Sequence, residues 1–569
     1  VYVGVLDGRL EAIDAKTGER VWSVDTRYDK ARSYSITGAP RVVNGKVVIG
    51  NGGAEFGVRG YVTAYDAETG DQAWRFFTVP GDPDKPAEGK GMEIAKKTWH
   101  GRAFVEQGGG GTAWDSFAYD PELNLLYIGV GNGSLWDPIW RSEGKGDNLF
   151  LSSIVAVNAD TGEYVWHYQT TPGDAWDYTA TQHMILADLE IEGKQRKVLM
   201  QAPKNGFFYV IDRATGELLS AENIVPINWA KGVDLKTGRP IVDDEAAAYW
   251  KGEKKAKLVQ PGFWGAHDWH PMSYNPNTGL VYIPAHIMSA WYEHVPDAPA
   301  RNKFKSMYQL GLKTGMMPED PEGLGKYADT WSGKLIAWDP VKQEQAWEVP
   351  YVTIFNGGTL STAGNLVFEG SADGRVIAYA ADTGKKLWEQ PAASGVMAAP
   401  ITYSVDGEQY VTFMAGWGGA FSTFAGALSL RAGVQPYAQV LTYKLGGTAE
   451  LQEPAPREDA PKPPPLTADA ATVEAGAKLY DGYCSQCHGI HAVSGGVLPD
   501  LRMLTPEMHE QFLGILHGAR IPDGMPSFAE AFDREQMEQI HQYLIKRAHD
   551  RIEHGPNDLP QPTQKTASN

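Results

Sequence analysis

The feature that most limits what this chain can fold into is an internal repeat. A run of alternating apolar residues, an Ala, a polar turn built on Thr-Gly and then a Trp recurs along most of its length. The copies read LEAIDAKTGERVW ending at Trp22, VTAYDAETGDQAW at Trp74, IVAVNADTGEYVW at Trp166 and VIAYAADTGKKLW at Trp388, with weaker copies from Tyr209 to Leu219 and ending at Trp347. Period-two alternation running into a Gly turn predicts antiparallel strands joined by a hairpin, and the Trp is expected to dock between neighbouring sheets. The steps from Trp22 to Trp74 and from Trp347 to Trp388 are about 50 and about 40 residues, the size of one four-stranded blade. The expectation is a mainly β fold, an eight-bladed β-propeller over residues 1–445. The chain opens on Val1-Tyr2-Val3-Gly4, which reads as the middle of a strand, with neither an initiator Met nor a signal peptide. An N-terminal segment holding all or part of the first blade or two is therefore expected to precede Val1, leaving the propeller N-terminally incomplete.

Residues 446–468 change to EPAPREDAPKPPPL, a Pro-rich and charged stretch that builds no core and reads as a semi-rigid linker. After it, residues 469–550 carry apolar residues at spacings of three and four, as in TVEAGAKLYDGYC and REQMEQIHQYLIKRA, and predict a small all-α domain. The polar tail 551–569 is expected to be disordered.

That α domain holds both cysteines of the chain, in Cys484-Ser485-Gln486-Cys487-His488. C-x-x-C-H is the pattern of covalent haem c attachment: two thioethers fix the porphyrin and the adjacent imidazole ligates iron. A zinc site needs four ligands and there is no second Cys pair to supply them. A Met roughly 40 residues downstream would complete the axial pair and raise the haem potential, and Met525 in Gly524-Met525-Pro526 is the candidate. Met503, Met508 and Met537 are read as core. With both cysteines in this motif, no disulfide framework exists elsewhere in the sequence.

The formal charge of -19 speaks against a nucleic-acid partner. No run of about 18 apolar residues is present, so no membrane span is expected.

Within the repeat region a set of polar stretches interrupts blade sequence: ITGAP at 36–40, NGGAEFGVRG at 51–60, GGGGTAWDS at 108–116, GVGNGS at 129–134, TPGDAWDYT at 171–179, APKNGFF at 202–208, HDWHPMSYNP at 267–276, NGGTLSTAGN at 356–365 and AGWGG at 415–419. Together with the C-terminal haem motif they resemble the quinohemoprotein alcohol dehydrogenases, propeller enzymes that use calcium and pyrroloquinoline quinone (PQQ). The resemblance implies oxidation of alcohols to aldehydes or ketones, followed by electron transfer to the haem c of the same chain.

Carried over residue by residue, Glu55, Asn132 and Asp177 resemble the calcium ligands, oxygen donors of the kind a hard cation wants. Trp114 resembles the indole on which the PQQ ring lies. Thr37, Gly53, Ala54 and Thr112 resemble donors to the cofactor carboxylates, and Lys204 the cation beside its reactive carbonyl. Asn356 and Trp417 match cofactor-contacting positions more loosely. Asp177 also resembles the catalytic base that takes the hydroxyl proton. Lanthanide-using relatives carry a further Asp two residues after this base; here that position is Thr179, which favours calcium.

Relatives also carry, upstream of the strand matching VYVGVLDGRL, an adjacent Cys pair whose disulfide ring covers PQQ, together with Glu and Arg contacts. These would belong to the segment expected before Val1. Trp176, Phe263, Trp264 and Trp291 are candidates for an apolar substrate pocket or for blade packing, and His267 and His270 are expected to be structural hydrogen-bonding residues. The resemblance further implies a periplasmic location and a soluble electron acceptor, such as a copper protein or cytochrome. Three other readings stay open: a relative acting on bulky secondary or polymeric alcohols or aldehydes, a non-enzymatic propeller scaffold, and a haem d1 type reductase. In the last of these the cytochrome precedes the propeller and His residues bind a second haem.

Overall fold

A computed structural model describes residues 1–252, 254–298, 310–314, 321–456 and 459–555. Seven of its nine sheets follow one another along the chain as antiparallel meanders of three or four strands, and this is a propeller. The first contains Tyr2–Gly4, Arg9–Ile13 and Arg20–Asp25, and the last Ile401–Val405, Glu408–Ala415 and Gln439–Tyr443. Strands in the middle of a sheet, such as Tyr61–Asp66 and Ser153–Asn158, are buried almost throughout, whereas last strands such as Arg20–Asp25 and Lys386–Pro391 are largely exposed. The last strand of each sheet is therefore outermost, and the first strand lines the axis. The expectation placed the remainder of an eight-bladed ring before Val1, outside this sequence. Two smaller sheets, Ala230–Asp234 with Arg239–Val242 and Lys257–Val259 with Ala290–His294 and Leu312–Thr314, are built from the long insertion that precedes Ser273 and follows Ile287.

The repeat has a direct structural reading. In the copies the small Ala lies opposite the Trp, as in Ala12 with Trp22, Ala64 with Trp74 and Ala156 with Trp166, and the register shifts just after that Ala. The Trp then reaches into the next sheet and lies on the glycine of that sheet's Thr-Gly turn. An added Cβ on Gly70, Gly162, Gly216 or Gly384 would stand 2.6 to 2.9 Å from the ring of Trp22, Trp74, Trp166 or Trp347 respectively, and all four glycines have φ between +68° and +81°. Glycine is needed twice over, for the left-handed backbone and for the ring above it. The indole N–H of Trp22, Trp74 and Trp347 each donates 3.1 Å to a backbone carbonyl of the neighbouring sheet, at Ala67, Ala159 and Ala381.

Among the described residues no regular element lies between Tyr443 and Ala470. The helix Ala470–Tyr483, capped by Asp469, then packs against Arg534–His554, capped by an Asp533–Gln536 box. That last helix includes residues 551–554, which the sequence pattern assigned to the tail. The apolar spacing ends near Ala548, but Asp550 holds Lys546 and Arg547, and Arg551 reaches Met503, so the helix continues beyond its apolar stripe. The rest of the expected tail, 556–569, lies outside the described residues. The α domain rests on the propeller: Val493, just past the C-x-x-C-H segment, is buried in one cluster with Trp417, Phe421, Ala425 and Leu428.

Candidate active site

Loops between strands position Glu55, Asn132, Thr112, Trp114, Asp177 and Lys204. Glu55 sits on a single helical turn, Ala54–Phe56, held between left-handed Gly53 and Gly57. Its carboxylate accepts 2.7 Å from Asn132 Nδ2 and 3.1 Å from Trp136 Nε1. Asn132 can come this close because the facing loop is glycine. Gly110, at φ +75°, leaves no room for a Cβ, which would stand 2.6 Å from the Asn132 carbonyl. Thr112 is buried in the same loop, and Trp114 follows it, half-buried, with its ring edge-on to Trp269 at 6.3 Å.

Asp177 has a left-handed backbone, φ 67°, a strained state for an aspartate. A network on its N-terminal side holds it there. Asp174 Oδ1 accepts from the amides of Trp176 and Tyr178, and the Asp174 carbonyl accepts from Arg141, whose buried guanidinium also holds Leu135, Trp136 and Asn148. Lys204 Nζ lies 2.9 Å from Asp177 Oδ2 and 3.8 Å from Asp268 Oδ2. Burial pushes the Asp177 carboxyl well above the usual carboxylate range; Lys204 opposes this and the charge of Glu55 adds to it. Burial alone would lower the Lys204 pKa, but Asp177 and Asp268 outweigh it and the ammonium is held on.

Glu55 and Asp177 thus face one space as two carboxylates whose charges oppose each other, with a single lysine beside them. That donor set, with the side-chain carbonyl an Asn offers, fits a hard divalent cation. The half-buried Trp114 face and the buried Thr112 beside it fit a flat, polar-rimmed cofactor.

Other predicted residues are placed differently. Thr37 is exposed, on a segment whose Ser35 bridges Gly52 and so brings it alongside Gly53 and Ala54. Asn356 and Trp417 are buried and both grip Ala372: Asn356 Oδ1 accepts from its amide and the Trp417 indole donates to its carbonyl, at 3.1 and 3.2 Å. His267 bonds through both ring nitrogens, to the Ala202 and His270 carbonyls, as expected of a structural residue. His270 differs from that expectation, since neither ring nitrogen has a hydrogen-bond partner among the described residues. Trp176 is core, packed on Tyr178 and Trp229. The sequence reading missed Trp136, Arg141, Asp174 and Asp268. Asp174 and Asp268 stood in stretches already singled out, the one three residues before Asp177 and the other beside His267.

In the α domain Cys484 is buried and Cys487 exposed, one turn apart. His488 Nδ1 is 2.9 Å from the Pro499 carbonyl, which fixes the ring and leaves Nε2 as its free face. Met525 packs against the same cluster as Cys484, whereas Met503 Sδ is engaged by Arg551 and Met537 is buried in the helix core.

The β-propeller domain model of glucose, ethanol and alcohol dehydrogenases matches residues 1–247 and 244–411, and the model of the cbb3-type cytochrome c oxidase subunit III matches residues 471–544. The chain is 85% identical over 555 residues to quinohemoprotein alcohol dehydrogenase ADH-IIG of Pseudomonas putida, covering 98% of this chain and 77% of that one. The chain belongs to the quinohemoprotein alcohol dehydrogenases. Its structure is similar to that of the Pseudomonas putida enzyme, with a TM-score of 0.96 at 84% identity over 98% of this chain and 81% of the other. The quinohemoprotein alcohol dehydrogenase of Comamonas testosteroni gives a TM-score of 0.86 at 46% identity, over 96% and 80%. This dehydrogenase is thus an oxidoreductase with a PQQ-type propeller and a cytochrome c domain, and not a bare scaffold. No helix among the described residues is long and apolar enough to cross a membrane.

From Trp114 to the edge of the α domain the aromatic packing is continuous. Trp114 meets Trp269 at 6.3 Å, Trp269 meets Phe355 at 5.2 Å, and Phe355 stacks on Phe421 at 4.9 Å, inside the cluster that includes Val493, five residues past His488.

Proposed function

We propose that this dehydrogenase oxidises alcohols with PQQ on the Trp114 face and calcium between Glu55, Asn132 and Asp177, and that its own haem c receives the electrons. The observation that carries the reading is the buried Asp177–Lys204 pair turned toward Glu55 and Asn132 beside that indole. When bound, PQQ supplies a two-electron acceptor and calcium a Lewis acid next to it. Asp177 takes the alcohol's hydroxyl proton, and Lys204 offsets negative charge that develops beside it. Thr37, Gly53, Ala54 and Thr112 orient the cofactor carboxylates, while Asn356 and Trp417 shape the wall through their shared hold on Ala372. With a cation held between Glu55 and Asp177, Asp177 would be relieved of the opposing Glu55 charge and kept as the carboxylate, the form that acts as a base.

Cys484 and Cys487 would tether the haem, and His488 and Met525 would hold its iron. The packed path from Trp114 to Phe421 supports transfer within one molecule. The electrons then pass to an external acceptor in the periplasm, a small copper protein or cytochrome, and the charge of -19 favours one with a basic face. The test is anaerobic. With calcium and PQQ added, a primary alcohol should reduce the haem, and the reduction should vanish without PQQ and in Asp177→Asn. A haem that stays oxidised with every alcohol, in a protein that has bound both cofactors, would overturn the reading.

A further inference from the structure

Alcohol oxidation leaves two protons behind once both electrons have gone to the haem, and the base that takes the first of them is enclosed. We propose that Asp268, Asp115 and His183 form a proton exit that leaves the active site along the propeller axis, beneath the Trp114 indole, and ends at Arg41. The inference rests on the assignment of Asp177 as the base.

Placement is the first argument. Arg41 opens the strand Arg41–Val43, Asp115 precedes Phe117–Asp120, His183 precedes Met184–Ile191, and Asp268 precedes Ser273–Asn275. Each of these is the first, axis-side strand of its sheet, so the four residues come from consecutive sheets at the same end of the axis. Asp115 follows the indole platform directly in sequence. The second argument is the link to the base. Lys204 stands between two carboxylates, 2.9 Å from Asp177 and 3.8 Å from Asp268, and Asp268 is wholly buried. Asp268 Oδ1 accepts from Gln182 Nε2 at 3.3 Å, and Gln182 is the neighbour of His183.

The third argument is a concentration of buried polar atoms that lack hydrogen-bond partners among the described residues: Asp268 Oδ2, His183 Nδ1, Ser116 Oγ, Gln201 Oε1 and His286 Nδ1, with both nitrogens of His270. Buried polar groups are nearly always paired, and where protein supplies no partner, ordered water does. Of these, Asp268 Oδ2, His183 Nδ1 and Ser116 Oγ stand just before the axis-side strands already named, and with the half-buried Asp115 and Arg41 next to them they mark a path that ordered water can fill. Burial pushes the Asp268 carboxyl up to about 6 against the pull of Lys204 and Gln182. It pushes Asp115 up to about 7, with Arg41 opposing and Asp268 adding. His183, facing His267 and Arg41, is driven down to about 4 by burial, so it relays as a neutral ring. Carboxyls poised near neutrality both accept and release a proton readily.

The transfer balances without any electron moving. Lys204 gives one proton to the Asp268 carboxylate and takes the proton from the Asp177 carboxyl. The lysine stays an ammonium, Asp177 returns to the carboxylate and Asp268 becomes the acid. Asp268 passes the proton by way of water and the neutral His183 ring, which accepts at one nitrogen as it releases from the other, to Asp115, which releases it past Arg41.

Asp268→Asn and Asp115→Asn in the full chain test this. In the chain without added PQQ, infrared titration should show two carboxyl bands ionising between about pH 6 and 7, each lost in one variant. With PQQ and calcium bound, both variants should keep wild-type PQQ affinity and lose about tenfold or more in kcat. The solvent deuterium isotope effect on kcat should rise, and added formate should partly restore Asp115→Asn. Variants that fold, bind PQQ and turn over at the wild-type rate and isotope effect would overturn the relay and leave the substrate mouth as the exit. Absence of the neutral-range carboxyl bands overturns it whatever the activity. A wild-type chain that shows the bands yet reduces no haem with alcohol would instead sink the functional reading on which the relay rests.

Discussion

Lys204 Nζ lies 2.9 Å from Asp177 Oδ2, and the two side chains are only 7% and 10% exposed. A base this enclosed depends on its neighbours for its charge state, and the lysine is the one cation beside it among the described residues. Asp177→Asn should lower the alcohol-dependent rate of haem reduction by about 10² to 10⁴-fold. Lys204→Met should also slow it, while shifting the pH dependence of kcat, because Asp177 then loses its opposing charge. Stopped-flow haem reduction across pH measures both.

The charge of Glu55 raises the cost of ionising Asp177, and the proposed calcium between them would remove that cost. Chelation of the loaded enzyme should therefore abolish turnover reversibly. Glu55→Gln, which keeps the bond from Trp136 but loses a charge, should need a calcium concentration at least about tenfold higher for half-maximal activity, one carboxylate contact being worth more than 1.4 kcal/mol. A calcium titration of activity decides it.

Met525 packs on the Cys484 cluster, while Met503 is taken by Arg551. Met525→Leu should lower the haem reduction potential and remove the sulfur-to-iron absorption band of the oxidised haem, whereas Met503→Leu should leave both in place. Redox titration followed by absorption separates the two.

The parts of this molecule that were legible in its sequence are those that repeat or carry a fixed spacing. The Ala opposite each Trp and the glycine beneath it are local rules, so four clear copies predicted the sheets and their docking. C-x-x-C-H is equally local. Asp268 and Arg141 were not legible, because their roles come from neighbours far along the chain: Lys204 and Gln182 for the one, Asp174 and Asn148 for the other. A buried charge is recognised by its partners, and spacing does not reveal them. The helix to His554 was cut short for a similar reason, since charged pairs and not an apolar stripe extend it.

Glu369 is wholly buried and accepts from the Tyr351 hydroxyl at 2.5 Å, with Tyr379 behind it at 2.9 Å. Burial raises its pKa well above the ordinary 4.5, against the opposing effects of Tyr351 and Arg375. The folded chain holds this proton more tightly than the unfolded one, so the stability it confers is complete below pH 4.5 and is lost as pH rises toward the folded value. Glu369→Gln keeps an acceptor for Tyr351 and has no proton to lose. Its stability relative to wild type should climb steadily from pH 5 to 9, by up to about 1.4 kcal/mol per pH unit. Denaturant unfolding at several pH values would show this, and a constant difference would refute it.

Gly162 and Gly193 have the same backbone, φ +72°, and differ in what lies above them. An added Cβ on Gly193 meets nothing within 4 Å, whereas on Gly162 it stands 2.7 Å from the Trp74 ring, whose indole is anchored on Ala159. Both alanine variants carry the left-handed penalty of about 1 to 2 kcal/mol. Only Gly162→Ala must also displace a Trp that joins two sheets, which should add about 1 to 3 kcal/mol. The difference between the two variants in denaturant unfolding isolates the docking of one repeat Trp. Equal losses would mean that the ring shifts freely and that the glycine is kept for its turn alone.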